Sequence, residues 1–498
     1  MKSRPLNPYW LLVAALTVFA VAPLTYPGFF QADSGFLPAF NAAHLDEAPN
    51  WGRAPDPVRG EGKLPYLLVG WLADPPYRAV KWGYGLAFVL GALGIYAWTR
   101  RWLGDRGGAL AAAVYTYLPW HLATVYVRGA YAEAWLWAIW PFLFWAIDRL
   151  RERRFLVATV VGLPLLAASL WTQMGLTIFL AFGLFMTICL QTRKLSAWKW
   201  AALLFFVGGV VVAVLILPLQ KARIPFDEHF LYPYQLVSAA WGEGLYFQLG
   251  LAAMGLTLVA AALLPRRGPD LRQALRFWLV ILLVLVLLTL PLSALVWRVI
   301  GLDDLLTYPW QLLALTGLPL AFLAGSVVRL DDRLGALPAW AGLLGLVLLA
   351  SYPYLAPHFT QVDPGPEPVA MFQADGADAP QLMILEAQIA PPTALTPTLT
   401  LTLTWQAVAP VEADYTVFVH LLDAADTKVA QRDTRPCDGA CPTDTWLPGA
   451  ILVDRYELSL PPAAPEPDRL AVGLYVLESG ERAAVVGRDD KTVYLDVP

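Results

Sequence analysis

Charge is what this sequence has least of. Only 15% of its 498 residues are Asp, Glu, Lys or Arg, while 58% are hydrophobic. A soluble domain carries about a quarter charged and about half apolar residues. Mean hydropathy is +0.53. A chain so poor in charge cannot hide its apolar surface in its own core, so lipid must cover part of it. The net charge of −4 and the lack of any Lys/Arg tract argue against a nucleic-acid partner. The sequence has no Walker loop, no Gly-x-Ser-x-Gly, no His-Glu-x-x-His and no Gly-x-Gly-x-x-Gly opening a helix. Soluble nucleotide-binding and hydrolase chemistry therefore has no foothold. Cysteine is also scarce, at three residues. Cys189 sits in an apolar run and reads as a small buried hydrophobe. Cys437 and Cys441 share a polar stretch, Cys-Asp-Gly-Ala-Cys, and fit a small disulfide in an oxidising compartment, half of a metal site, or free thiols.

Long apolar runs fill residues 10 to 355. They predict a polytopic α-helical membrane domain over 1–355 with about eleven spans, at 9–25, 80–98, 107–120, 131–148, 155–171, 174–190, 200–219, 244–264, 276–294, 308–328 and 338–355. With the N-terminus cytoplasmic, alternate loops are short and basic. They hold Lys2 and Arg4; Arg100, Arg101 and Arg106; Arg149, Arg151, Arg153 and Arg154; Arg193, Lys194 and Lys199; Arg266, Arg267, Arg272 and Arg276; and Arg329 and Arg333. The opposite loops are longer and sparse in Lys and Arg, which puts them outside the plasma membrane, together with the long loop 26–79 and the C-terminal region. Ala20-Val21-Ala22 also fits a signal-peptide cleavage site, and loop 26–79 is outside on either reading.

Residues 356–380 read as a Pro-rich linker, with Pro357, Pro364, Pro366, Pro368 and Pro380 among Asp, Gly and Ala. Beyond it the hydrophobic period changes to two. Thr398-Leu399-Thr400-Leu401-Thr402-Leu403-Thr404-Trp405 alternates as a half-buried strand does. Further short strands at 415–422, 428–433, 451–460, 470–477, 483–486 and 493–497 predict an antiparallel β-sandwich over 381–498, jelly-roll or immunoglobulin-like.

Few polar residues stand near the apolar runs, and each is a candidate for function. Asp33 is the first acid after the first run. It suits a base, a ligand to a divalent cation, or an interfacial helix cap. Arg128 and Glu133 lie between two spans with a minimal loop, and His121 precedes them. Arg128 offers planar donors suited to phosphate, or it pairs with Glu133 and fixes the loop. Asp227, Glu228 and His229 form a secondary cluster with metal-ligand chemistry but no diagnostic spacing, and Asp303-Asp304 lies in another outer loop. The aromatic load fits interfacial belts and also sugar stacking. Trp405 and Trp446 are either exposed carbohydrate contacts or sandwich core, and the alternating strand favours core for Trp405.

The organisation resembles the GT-C superfamily of membrane glycosyltransferases: one span, a long outer loop with an early acid, many further spans and an outer C-terminal domain. The stretch 118–133, with Tyr126-Val127-Arg128-Gly129-Ala130 and Glu133, resembles a Tyr-x-Arg-Gly-Ala-x-x-Glu segment of bacterial membrane proteins labelled pyruvoyl-tetrahydropterin-synthase-related. Thr307-Tyr308-Pro309-Trp310-Gln311 resembles a Phe-Pro-Trp-Arg segment of the same proteins. Trp405-Gln406, Phe418 to Leu421 and Pro442 to Gly449 resemble an attached β-domain. The resemblance implies a sugar donor linked to polyprenyl phosphate, transfer to a glycan or protein acceptor on the outer face, Asp33 as base or metal ligand, and Arg128 and Glu133 near the donor in one cavity. Asp33 stands alone where relatives carry paired acids, Thr172-Gln173 replaces a His-Asn, and Gln311 replaces an Arg. These departures leave open a non-catalytic member: a lipid-linked glycan transporter, or an envelope-assembly scaffold with a carbohydrate-binding β-domain.

Overall fold

The computed structural model describes residues 7–26, 29–30, 32, 34, 37–43, 62–69, 76–152, 154–191, 226–238, 247–264, 269–301, 305–355, 359–360, 368–374, 377, 380–392, 398–446, 450–461, 465 and 467–497. The chain divides into two units, Met1–Gln31 with Asn50–Val362, and Ala32–Pro49 with Asp363–Pro498.

The first unit is helical. Among the described residues, five segments are long and apolar enough to cross a membrane: Pro8–Thr25, Tyr77–Thr116, Asp270–Leu288, Pro309–Leu330 and Leu337–Leu355. The expected eleven is therefore not confirmed; the described residues give five candidates. Runs 155–171, 174–190 and 244–264 form shorter apolar helices, and 200–219 lies outside the described residues. Runs 80–98 and 107–120 lie in two helices within Pro76–Thr116, which meet at a kink at Gly104, whose φ of 76° and ψ of 174° are not helical. A side chain on Gly108 would strike the backbone of Arg100, and one on Gly91 would meet the Tyr115 ring. The two arms therefore run back antiparallel, and Gly104 supplies the positive φ that an L side chain resists. The run 276–294 ends early because Pro291 cannot continue a helix.

The helix Leu313–Leu330 is buried along nearly its whole length. Small residues allow this: a Cβ on Gly325 would come 2.6 Å from the Gly107 carbonyl oxygen, the close backbone approach typical of membrane helices. Peripheral helices leave Leu258, Leu283, Leu295 and Leu349 exposed, a surface that a bilayer would cover. Two short strands, β1 (Phe29–Phe30) and β2 (Phe359–Thr360), pair antiparallel within this unit.

The second unit contains strands β3 (Ala370–Gln373), β4 (Leu382–Ala390), β5 (Thr398–Ala407), β6 (Tyr415–Asp423), β7 (Lys428–Thr434), β8 (Ile451–Ser459), β9 (Pro467–Val476), β10 (Ala484–Val485) and β11 (Val493–Asp496). They make a five-stranded sheet in the order β10-β3-β4-β5-β8 and a four-stranded sheet in the order β11-β9-β6-β7, with every pairing antiparallel. Leu399, Leu401, Leu403 and Trp405 from one sheet share a single apolar core with Val417, Val419, Leu470 and Val472 from the other, which makes a β-sandwich. Strands β2 and β3 occupy part of the stretch read as linker; their apolar runs are too short, among prolines, to show a period. Leu37 packs against Met383 and Val408, and Gln406 Nε2 donates to the Ser34 carbonyl.

Trp405 and Trp446 are both buried. The core reading of Trp405 holds, and neither tryptophan offers an exposed face to a sugar. Cys437 and Cys441 are joined by a disulfide with Cα atoms 5.4 Å apart. It staples a turn in which Cys437 and Asp438 both adopt positive φ. The loop it closes is tiny, so in the chain-entropy account its reduction should cost less than the roughly 3 kcal/mol of a 15-residue loop. Intact-mass analysis of the untreated protein should show two hydrogens fewer than after reduction. Two alkylatable thiols at these positions without reductant would contradict the bond.

Candidate functional site

The polar centre of the helical unit is built on one tight turn. The helix Pro119–Tyr126 starts with a proline at its first position, where the missing N–H costs nothing. It ends as the Arg128 amide donates back to Ala123 and the Ala130 amide to Thr124. Gly129, with φ of 62°, turns the chain. The helix Tyr131–Arg151 then begins, with Glu133 in its first turn. A carboxylate there is favoured by the unpaired N–H groups and dipole of the helix start.

This geometry closes the pair. Arg128 Nη1 donates to Glu133 Oε2 at 2.8 Å, with the Arg side chain 12% and the Glu side chain 1% exposed. Thr124 Oγ1 donates to the other carboxylate oxygen at 3.2 Å. The structure thus shows Arg128 paired with Glu133. The reason is spacing: five residues and a single turn bring the groups together before either can reach bulk water. Nη1 carries both hydrogen bonds of the side chain, to Glu133 and, weakly, to Thr124. Nε and Nη2 have no hydrogen-bond partner among the described residues.

The guanidinium is framed by aromatics. The ring centres of Trp120 and Trp310 each lie 4.8 Å from its carbon, a distance at which the ring faces attract a cation. Trp310 stacks on Tyr308 at 4.6 Å, Phe247 packs against both tryptophans, and His229 meets the edge of Tyr308 at 4.8 Å. Trp310 is presented by the short helix Pro309–Leu312, in which Gln311 turns its side chain back to accept from the Tyr308 amide at 3.0 Å. The two segments that carry the sequence resemblance in the helical unit, 118–133 and 307–311, thus meet at Arg128. Phe247 had no sequence signal.

The other candidates fall elsewhere. His121 is buried, its Nδ1 3.0 Å from the Tyr115 carbonyl and its ring stacked on Trp137 at 3.8 Å. It belongs to an aromatic core and not to the Arg128 turn, because it faces inward one helical position beyond Trp120. Asp227 is engaged by Arg298 in an exposed ion pair. Among the described residues, no group of three His, Cys, Asp or Glu side chains could hold a metal ion. Asp33, Asp303 and Asp304 lie outside the described residues, as does the expected convergence of Asp33 with Arg128 and Glu133.

No known family model matches the sequence, and no curated protein matches it. Two crystal structures of the Archaeoglobus fulgidus oligosaccharyltransferase are similar in shape. One is tethered with an acceptor peptide containing the NVT sequon via a disulfide bond, at 12% identity and TM-score 0.40 over 70% of this chain and 55% of that one. The other is a complex with Zn and sulfate, at 12% identity and TM-score 0.39 over 71% and 54%. The chain spans about half the length of those proteins. These comparisons lend no support to the likeness to the pyruvoyl-tetrahydropterin-synthase-related proteins, and a similarity this slight decides nothing about activity.

Proposed function

We propose that this chain is a plasma-membrane glycosyltransferase that moves a sugar from a polyprenyl-phosphate-linked donor to a glycan or protein acceptor outside the cell. The observation that supports this reading most is the buried Arg128–Glu133 pair between Trp120 and Trp310. Glu133 fixes the plane of the guanidinium, and its Nε–Nη2 edge then remains to bind a phosphate. Tyr308, stacked on Trp310, belongs to the same aromatic surround. In the reaction, the acceptor hydroxyl attacks the anomeric carbon, the bond from that carbon to the phosphate oxygen breaks, and polyprenyl phosphate leaves. Asp33 takes the hydroxyl proton, and Arg128 stabilises charge gathering on the departing phosphate. A divalent cation at Asp33 would supply further neutralisation.

One observation favours a second reading. A carboxylate that satisfies a buried arginine is also what a purely structural brace looks like, and a glycan transporter or envelope scaffold needs the same spans and groove but not Asp33. Arg128→Lys separates the two readings, because it keeps the charge that Glu133 requires and removes the planar fork. We expect binding of a polyprenyl-phosphate sugar by the purified protein to weaken by about tenfold, roughly 1.4 kcal/mol, with little change in unfolding temperature. Unchanged donor affinity would make the pair a brace and remove Arg128 from the donor phosphate.

A further inference from the structure

A second polar site lies at the other end of the same helix. Glu133 and Arg149 both belong to Tyr131–Arg151, and sixteen residues at about 1.5 Å each separate them by about 24 Å along the axis. Around Arg149 is a cleft of about 600 Å³, with Arg100 and Arg101 from one side of the Gly104 turn and Trp10, Phe142 and Trp145 along its wall. The loops here are those with the dense Lys and Arg, hence cytoplasmic by the positive-inside rule.

The charges facing one another do not cancel. Asp105, also in the lining, pairs with Arg100 at 3.3 Å. Glu152 alone serves Arg101 at 2.6 Å and Arg149 at 2.8 Å, with Arg154 at 3.9 Å. In these ion pairs four guanidinium groups share two carboxylates, while the buried Asp148 of the same helix accepts from Trp102 Nε1 at 2.9 Å. Arg149 is the most enclosed, with its side chain 8% exposed, and its Nε is buried without a hydrogen-bond partner. Such a group costs roughly 1–3 kcal/mol unless something accepts from it. Arg149 also lies 4.6 Å over Trp145, and Arg100 lies 5.7 Å over Trp10. Arginines in excess, set beside indole and phenyl rings, suit a ligand that is anionic at one end and hydrocarbon at the other.

We propose that this cleft binds the phosphate headgroup of an anionic phospholipid of the cytoplasmic leaflet, with the acyl chain along Trp10, Phe142 and Trp145. Each basic group near an anionic leaflet contributes about 1 kcal/mol of attraction, and the Arg149 Nε would gain the acceptor it lacks. The site is independent of donor binding at Arg128, and its failure would leave that reading untouched.

The test is native mass spectrometry of the full chain in neutral detergent, with phosphatidylglycerol, phosphatidylcholine and inorganic phosphate as probes. Phosphatidylglycerol should be retained about tenfold more than phosphatidylcholine. That preference should fall to near parity in both Arg100→Gln and Arg149→Gln. Because Arg149→Gln also removes one partner of Glu152, the unfolding temperature without lipid checks folding; Arg100, about a third exposed, is the variant expected to fold unchanged. Equal retention of the two lipids, or a preference that survives in folded Arg100→Gln, would overturn the proposal. Displacement of phosphatidylglycerol by millimolar inorganic phosphate would overturn the lipid identity and leave a site for free phosphate.

Discussion

Glu133→Gln should destabilise the helical unit by about 3–5 kcal/mol, the usual cost of removing one partner from a buried ion pair. The substitution is nearly isosteric, so packing is kept and charge alone is tested. Glu133 is 1% exposed and Arg128 12%. Arginine cannot shed its proton to escape an unpaired state. Trp120 and Trp310 attract the cation, but one cation–π contact contributes only about 0.5–2 kcal/mol, less than the counterion did. The amide also forfeits the favourable charge in the first turn of Tyr131–Arg151, a further 0.3–1 kcal/mol or so. Thermal unfolding in detergent measures the loss. A double variant, Arg128→Met with Glu133→Gln, should recover part of it, because no charge is then stranded. A loss below about 1 kcal/mol for Glu133→Gln would mean that water already reaches the pair, and the enclosed polar centre would not exist.

How much of this was legible in the sequence depends on the range of the interaction. The alternation of Leu399, Leu401, Leu403 and Trp405 is a local signal with one physical meaning, and all four residues are in the sandwich core. The Arg128–Glu133 contact is also local, and its paired alternative could be read from five residues of spacing. Trp310 over Arg128 was legible only as two separate segments, because nothing in either specifies the packing of the helix Leu313–Leu330 against its neighbours. His121 misled for a related reason: a histidine beside a candidate site reads the same whether it faces a ligand or stacks on Trp137, and only the helix rotation decides. The span count is confirmed only in part, because hydropathy does not show how apolar runs turn or how long each helix is. Apolar runs on either side of Gly104 read as two crossings, and the positive-φ turn between them folds them into two antiparallel arms. Strands β3 and β4 escaped notice because prolines on one side and a weak alternation on the other concealed their period.

The most direct measurement is transfer of a radiolabelled hexose from an undecaprenyl-phosphate donor by the purified full chain in liposomes, compared with Asp33→Asn. The amide nearly preserves shape but cannot accept the acceptor hydroxyl's proton as it leaves. General-base catalysis contributes about 10²–10⁴-fold, so the variant should retain at most about a hundredth of the wild-type rate, with the same unfolding temperature and the same donor affinity. Binding should survive because the donor phosphate is assigned to Arg128, and only the step that needs a basic carboxylate should be lost. Transfer by Asp33→Asn at the wild-type rate would contradict Asp33 as the base. Release of polyprenyl phosphate by the wild type no faster than in protein-free liposomes would contradict the glycosyltransferase account itself.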